Sequence, residues 1–190
     1  AMAADCLHRA GLREFQLSVG HAEFFRGLSE AAGLDEEQEE ELRELISNKN
    51  YFGVSEFAET LNLKEDLNNL FQMLGNLYIG SDELQKAKEY AAAYPRIQNA
   101  ISRLEELHQV LKLYEIEKYV SFELGIVSNY QYYTGIIFAG YTFGSGEPVI
   151  KGGRYDELLT YFGKNSASIG FAVVIDQLMA ALSRQKIEIP

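Results

Sequence analysis

A hairpin near the C-terminal end restricts the fold of this chain more than any other feature. Residues Tyr132–Phe143 are dense in aromatic and β-branched side chains, Gly144-Ser145-Gly146 supplies a turn, and Pro148–Lys151 opens a second extended run. Strands joined by so short a connection pair antiparallel. Tyr119, Val120, Phe122 and Leu124 suggest a strand before the hairpin, and Ser168–Val173 suggests one after it. A short helix over Asp156–Phe162 and a closing helix over Asp176–Arg184 complete the segment. Strands in hairpins with helices between them point to an α+β fold built on an antiparallel sheet, not to an alternating βα unit.

Two earlier segments read differently. In residues 1–34, Phe15, Leu17 and Val19 alternate with Gln16, Ser18 and Gly20, the period of a half-buried strand. A helix over Ala3–Ala10, stopped at Gly11, precedes it, and a helix over Glu23–Ala32, with Phe24, Phe25 and Leu28 on one face and Gly33 as its end, follows. Residues 35–113 are helical throughout. Asp35 and Gln38 form a capping box, and Leu42, Leu45 and Ile46 should face inward behind the solvated acidic run Asp35–Glu44. Short helices are expected at 54–61, 64–74 and 82–92, the last capped by Ser81. Pro95 opens a long helix at its favoured first position. Ile97, Ala100, Ile101, Leu104, Leu107, His108 and Leu111 fall on one stripe of it, with His108 at the edge as a packed residue.

Composition narrows the chemistry. The 190 residues carry 28 acidic and 17 basic side chains, a net charge of −11. Affinity for nucleic acid rests on Lys and Arg neutralising phosphates, so nucleic acid is a disfavoured partner. No apolar run approaches the roughly 18 residues of a membrane span, and no secretory signal is visible. A lone cysteine, Cys6, cannot form an internal disulfide and fits a reducing compartment such as the cytoplasm. His8 and His21 lack metal-ligand spacing, so neither a metal nor a cofactor is expected.

Three local patterns carry chemistry: Tyr132-Tyr133-Thr134-Gly135, then Lys151-Gly152-Gly153-Arg154-Tyr155-Asp156-Glu157-Leu158, then Gly170-Phe171-Ala172 followed by Ile175-Asp176-Gln177-Leu178. Singly, each has a plain reading as core packing or a turn. Together they make a floor with no side chains at Gly152 and Gly153, where a ligand can approach the backbone. Tyrosine hydroxyls beside it can donate to or accept from a ring nitrogen. Such a site suits a flat, polar, aromatic small molecule.

The order and spacing of these patterns resemble the histidyl-tRNA synthetase family, a branch of the class II aminoacyl-tRNA synthetases, which reads R-G-L-D-Y-Y-T-G, then G-G-R-Y-D-x-L, then G-F-A-x-G-x-x-R-L. The resemblance covers about residues 119–185 and implies an antiparallel sheet flanked by helices. Residues 1–34 and 114–190 would then be parts of one synthetase-like core, with 35–113 as a helical insert. Tyr132, Tyr133 and Tyr155 would surround a histidine imidazole, and Gly152, Gly153, Gly170, Phe171 and Ala172 would form the pocket floor. Arg154 is either functional or pinned by a nearby carboxylate.

The departures are as informative as the matches. Ser128 stands where the family's first pattern has arginine, and Asn129, Tyr130 and Gln131 replace its glycine, leucine and aspartate. Val174 replaces a glycine, and Gln177 replaces the arginine of the third pattern. Amino-acid activation builds negative charge on the attacked phosphate, which a fixed guanidinium stabilises with a two-pronged grip. By analogy with phosphoryl transfer, losing one such arginine costs on the order of 10³ or more in rate. A histidine-binding synthetase fold without catalysis resembles the regulatory subunits of ATP phosphoribosyltransferase, as does the segment Gly11–Leu28. That resemblance implies histidine and the catalytic subunit of the transferase as partners, and a homo-oligomer as the full-length protein. The family's first two class-defining motifs would lie before residue 1, and an anticodon-binding domain after the third pattern is not expected. A divergent histidyl-tRNA synthetase and a ligand-free interaction protein remain the alternatives.

Overall fold

The computed structural model describes residues 1–76, 79–127 and 132–187. A helix α1 (Met2–Arg9) ends before Gly11, whose φ of +97° is left-handed, and leads into strand β1 (Phe15–His21). Helix α2 (Ala22–Ala32) follows at once and stops at left-handed Gly33. Helices α3 (Glu36–Ser47), α4 (Tyr51–Thr60), α5 (Glu65–Met73) and α6 (Ser81–Tyr90) then lead to the long α7 (Pro95–Leu113). The remaining elements are β2 (Val120–Phe122), β3 (Ile136–Thr142), β4 (Ile150–Arg154), β5 (Ile169–Val173) and α8 (Ile175–Arg184). The short helix expected over Asp156–Phe162 is a 3-10 helix over Leu158–Phe162.

Local signals place most of these boundaries. Asp35 accepts from the Gln38 amide while the Gln38 side chain accepts from the Asp35 amide. Pro95 takes the first turn of α7, where no amide partner is needed. One cap differs: Gly80, not Ser81, precedes α6, and the Glu83 carboxylate accepts from its amide. The leading strand is also shorter than expected. Tyr119 closes a 3-10 turn (Glu117–Tyr119), and Leu124 is buried beyond the strand's end.

The sheet runs β2-β1-β3-β4-β5. Pairs β1–β3, β3–β4 and β4–β5 are antiparallel, whereas β1 and β2 are parallel. The expectation of an antiparallel sheet is therefore corrected at one edge. The helices between β1 and β2 form a long crossover, and that is the connection a parallel pair requires.

Because paired residues share a face and neighbours alternate, the register divides the sheet cleanly. One face carries Phe15, Leu17 and Val19 of β1, Phe138 and Gly140 of β3, and Ile150 of β4. It is the core side: Leu17 and Ile150 are buried, and a side chain at Gly140 would strike both of them as well as reaching Leu7 of α1. Helix α8 adds Leu178, Ala181 and Leu182 to the same core. On that side Phe15 stacks on Tyr119 at 4.7 Å, and His108 of α7 packs edge-on against Phe122 at 5.6 Å. The other face carries Ser18 and Gly20, Ile137, Ala139 and Tyr141, then Lys151 and Gly153, and finally Gly170 and Ala172.

Candidate functional site: a tyrosine cage on the open sheet face

Small residues on this second face leave room for rings. A Cβ on Gly153 would lie 2.7 Å from two carbons of the Tyr133 ring, and a Cβ on Gly170 would lie 2.7 Å from the Tyr155 hydroxyl. Gly153 and Gly170 are register partners on adjacent strands. Tyr133 is thus seated on one glycine and Tyr155 reaches across its neighbour. Tyr132 closes the group, with ring centroids 4.6 Å from Tyr133 and 5.7 Å from Tyr155, while Tyr133 and Tyr155 are 6.4 Å apart. Ala22 and Ile137 pack with Tyr133 in a small buried cluster separate from the main core.

Hydrogen bonds among three strand ends hold the cage in place. The Thr134 amide donates to the Arg154 carbonyl at 2.9 Å, and the Asp156 amide donates to Thr134 Oγ1 at 2.9 Å. Tyr155 donates its amide to the Ser168 carbonyl at 2.8 Å, and Ser168 donates its own amide to Asp156 Oδ1 at 3.3 Å. Arg154 Nε donates to both Asp156 oxygens at 3.0 and 2.8 Å, so a carboxylate two residues away pins this guanidinium.

The cage opens on a cleft of about 770 Å³. Of the residues singled out in the sequence, Tyr132, Tyr133, Gly152, Tyr155, Gly170, Phe171 and Ala172 line it. Gly153 lies beneath the Tyr133 ring, so it acts as the seat of a tyrosine and not as open floor. Gly152 and Phe171 pair with each other on the opposite face parity, and both line the cleft. Ser128, Asn129, Tyr130 and Gln131 lie outside the described residues. Gln177 stands half-buried in the first turn of α8, away from the cleft lining.

The far end of the cleft is polar. Ser47, Tyr141 and Lys151 line it, and Lys49 lies over the Tyr141 ring at 5.5 Å. Behind them Glu123 is buried; burial raises its carboxyl pKa, against the pull of Lys49 and a hydrogen bond with Ser18. Burial, then Glu123 and Tyr141, push the Tyr51 hydroxyl up to about 12. A second cleft of about 530 Å³ adjoins the first across Ile126, Val127, Tyr133 and Ile137. Its Arg26, Arg43 and Arg96 pair with Glu23, Glu39 and Glu30. At the end of β1, His21 Nδ1 accepts the Glu23 amide at 3.2 Å and caps α2. Burial drives the His21 pKa down to about 4, with Glu23 opposing and Arg103, Arg154 and Arg26 contributing further.

A family model of histidyl-tRNA synthetase matches residues 1–178. The chain belongs to the histidyl-tRNA synthetase family. Within that family it is 40% identical, over 99% of its length and 45% of the relative's, to an ATP phosphoribosyltransferase regulatory subunit of Acetivibrio thermocellus. A crystal structure described as an ATP phosphoribosyltransferase regulatory subunit/histidyl-tRNA synthetase from Bacillus halodurans superposes with a TM-score of 0.84 at 34% identity, covering 95% of this chain and 47% of that one. A histidine–tRNA ligase subunit from Alicyclobacillus acidocaldarius gives 0.81 at 25% identity, covering 97% and 59%. The chain spans about half the length of the curated relatives it matches.

As a histidyl-tRNA synthetase family member, the chain brings two of its family patterns to one place through the Gly153–Gly170 pairing, and the third through Tyr132 and Tyr133. Sequence reasoning singled out neither Tyr141 nor Lys151 as a site residue. The available signal was the strand period: Lys151 stands two residues before Gly153, and Tyr141 two residues after Ala139, on the cleft face.

Proposed function

We propose that this chain is part of a regulatory subunit of ATP phosphoribosyltransferase, and that the tyrosine-lined cleft binds histidine. The cage of Tyr132, Tyr133 and Tyr155 on the Gly153–Gly170 seat carries the reading, since it offers aromatic faces and hydroxyl groups to a flat ring with two nitrogens. The names of relatives 34–40% identical support the regulatory role. In this reading residues 1–34 and 114–190 form the synthetase-like core, 35–113 the helical insert, and the full-length protein is a cytoplasmic homo-oligomer with aminoacylation lost at Ser128 and Gln177. Histidine then reports product level to the catalytic subunit, which requires that it bind the inhibited assembly more tightly than the active one.

Calorimetric titration of the full-length protein with histidine, alone and with the catalytic subunit, tests this. Saturable binding is expected, and absence of binding in both states overturns it. A divergent histidyl-tRNA synthetase is the second reading, favoured by the likeness to the Alicyclobacillus acidocaldarius ligase subunit. Robust histidine-dependent ATP–pyrophosphate exchange would establish that reading instead.

A further inference from the structure

We infer that Lys151 determines specificity at this cleft by pairing with the carboxylate of its ligand, an inference that rests on the cleft being a histidine site. Lys151 is the one charged side chain among the described residues that line the cleft. It is exposed, and among the described residues no ion pair or side-chain hydrogen bond engages it. The arginines of the adjoining cleft differ in this respect, since each is matched to a glutamate.

Register fixes where this charge stands. Lys151 pairs with Ala139 on β3 and Ala172 on β5, so both flanking side chains on its face are methyl groups. Its stem has lateral freedom, and its ammonium meets little competition. Two residues further along β4 lies Gly153, the seat of Tyr133, and beside that Gly170 under the Tyr155 hydroxyl. Two residues of extended strand span about 7 Å. That is comparable with the reach of one amino acid from aromatic ring to carboxylate. A ligand with its ring among the tyrosines therefore lays its carboxylate toward Lys151. An ammonium offers three donors and a compact charge, and a charge-assisted bond to a carboxylate is stronger than a neutral one. The family's first pattern carries a cation where this chain has Ser128; here a cation rises from the sheet floor itself. The ligand class is an aromatic α-amino acid with a free carboxylate, discriminated from its decarboxylated amine.

The experiment compares full-length wild type, Lys151→Met and Lys151→Arg in calorimetric titrations with histidine and with histamine. Lys151→Met should weaken histidine roughly 10- to 100-fold and leave histamine within about threefold, so that the preference for histidine collapses. Lys151→Arg, which keeps the charge, should retain most of the histidine affinity. If Lys151→Met binds histidine like wild type, or loses histamine equally, the role of Lys151 is overturned while the cleft assignment stands. A wild type that binds neither ligand overturns the cleft assignment, and this inference with it.

Discussion

The two faces of one sheet are made from alternate residues of the same strands, yet they do different work. On the core face, Phe15, Leu17, Val19 and Ile150 are buried against helices, and Gly140 is a glycine because Leu17 and Ile150 occupy its space. On the cleft face, Gly153 and Gly170 are glycines because Tyr133 and Tyr155 occupy theirs. The same residue type serves packing on one side and a ring cage on the other. Burial in the main core dominates the first face, whereas the close seating of rings on glycines, with only a small buried cluster around Tyr133, shapes the second. Stability and ligand affinity should therefore separate by face.

The largest expected effect lies on the core side. Ile150→Ala empties a fully buried position and should cost about 2–5 kcal/mol in chemical denaturation. Histidine affinity of the protein that remains folded should change little. A large affinity loss in the folded fraction would break the separation.

Gly153→Ala crosses the divide. Its methyl would meet the Tyr133 ring and the Ile136 carbonyl, each at 2.7 Å. Overpacking of this kind costs about 1–3 kcal/mol, and calorimetry should also show histidine affinity falling by at least about tenfold, since even 1.4 kcal/mol is that factor. Unchanged affinity would remove Tyr133 from the site.

Acid sharpens the comparison at the end of β1, where His21 shares the face parity of Val19. Its folded pKa of about 4 lies below the ordinary 6.5, so the unfolded chain binds the proton more readily. The stability His21 contributes is full above pH 6.5 and is lost as pH falls toward 4. The loss is about 1 kcal/mol per pH unit in that window. His21→Asn keeps a capping side chain and should flatten this part of the denaturation-against-pH profile. An unaltered slope would place the acid sensitivity elsewhere.

The smallest effect belongs to Gly170→Ala. Its methyl meets only the tip of Tyr155, a hydroxyl that can move. Melting should shift by no more than the equivalent of about 1 kcal/mol, with a measurable loss of histidine affinity from the displaced hydroxyl. A stability loss as large as that of Gly153→Ala would mean that Gly170 belongs to the packed side.

Features encoded within a few residues are legible in the sequence. Pro95, Gly33 and the Asp35–Gln38 box mark helix ends by local chemistry, and the hairpin after Phe143 follows from its turn. The parallel pairing of β1 with β2 was not readable, because partners separated by the whole helical segment leave no local trace. The cleft was half legible. Tyr132, Tyr133 and Tyr155 were recognisable by pattern, but the seating of Tyr133 on Gly153 depends on chain direction after Thr134, which the Thr134–Asp156 hydrogen bond sets across 22 positions. Lys151 was hidden for another reason: its meaning comes from the alanines beside it on two other strands.

The most direct test is a crystal structure of the full-length protein soaked with histidine. The account predicts an imidazole held among Tyr132, Tyr133 and Tyr155, above the Gly153–Gly170 pair. Tyrosines closed on one another with the cleft empty, or histidine bound at a different surface, would contradict it.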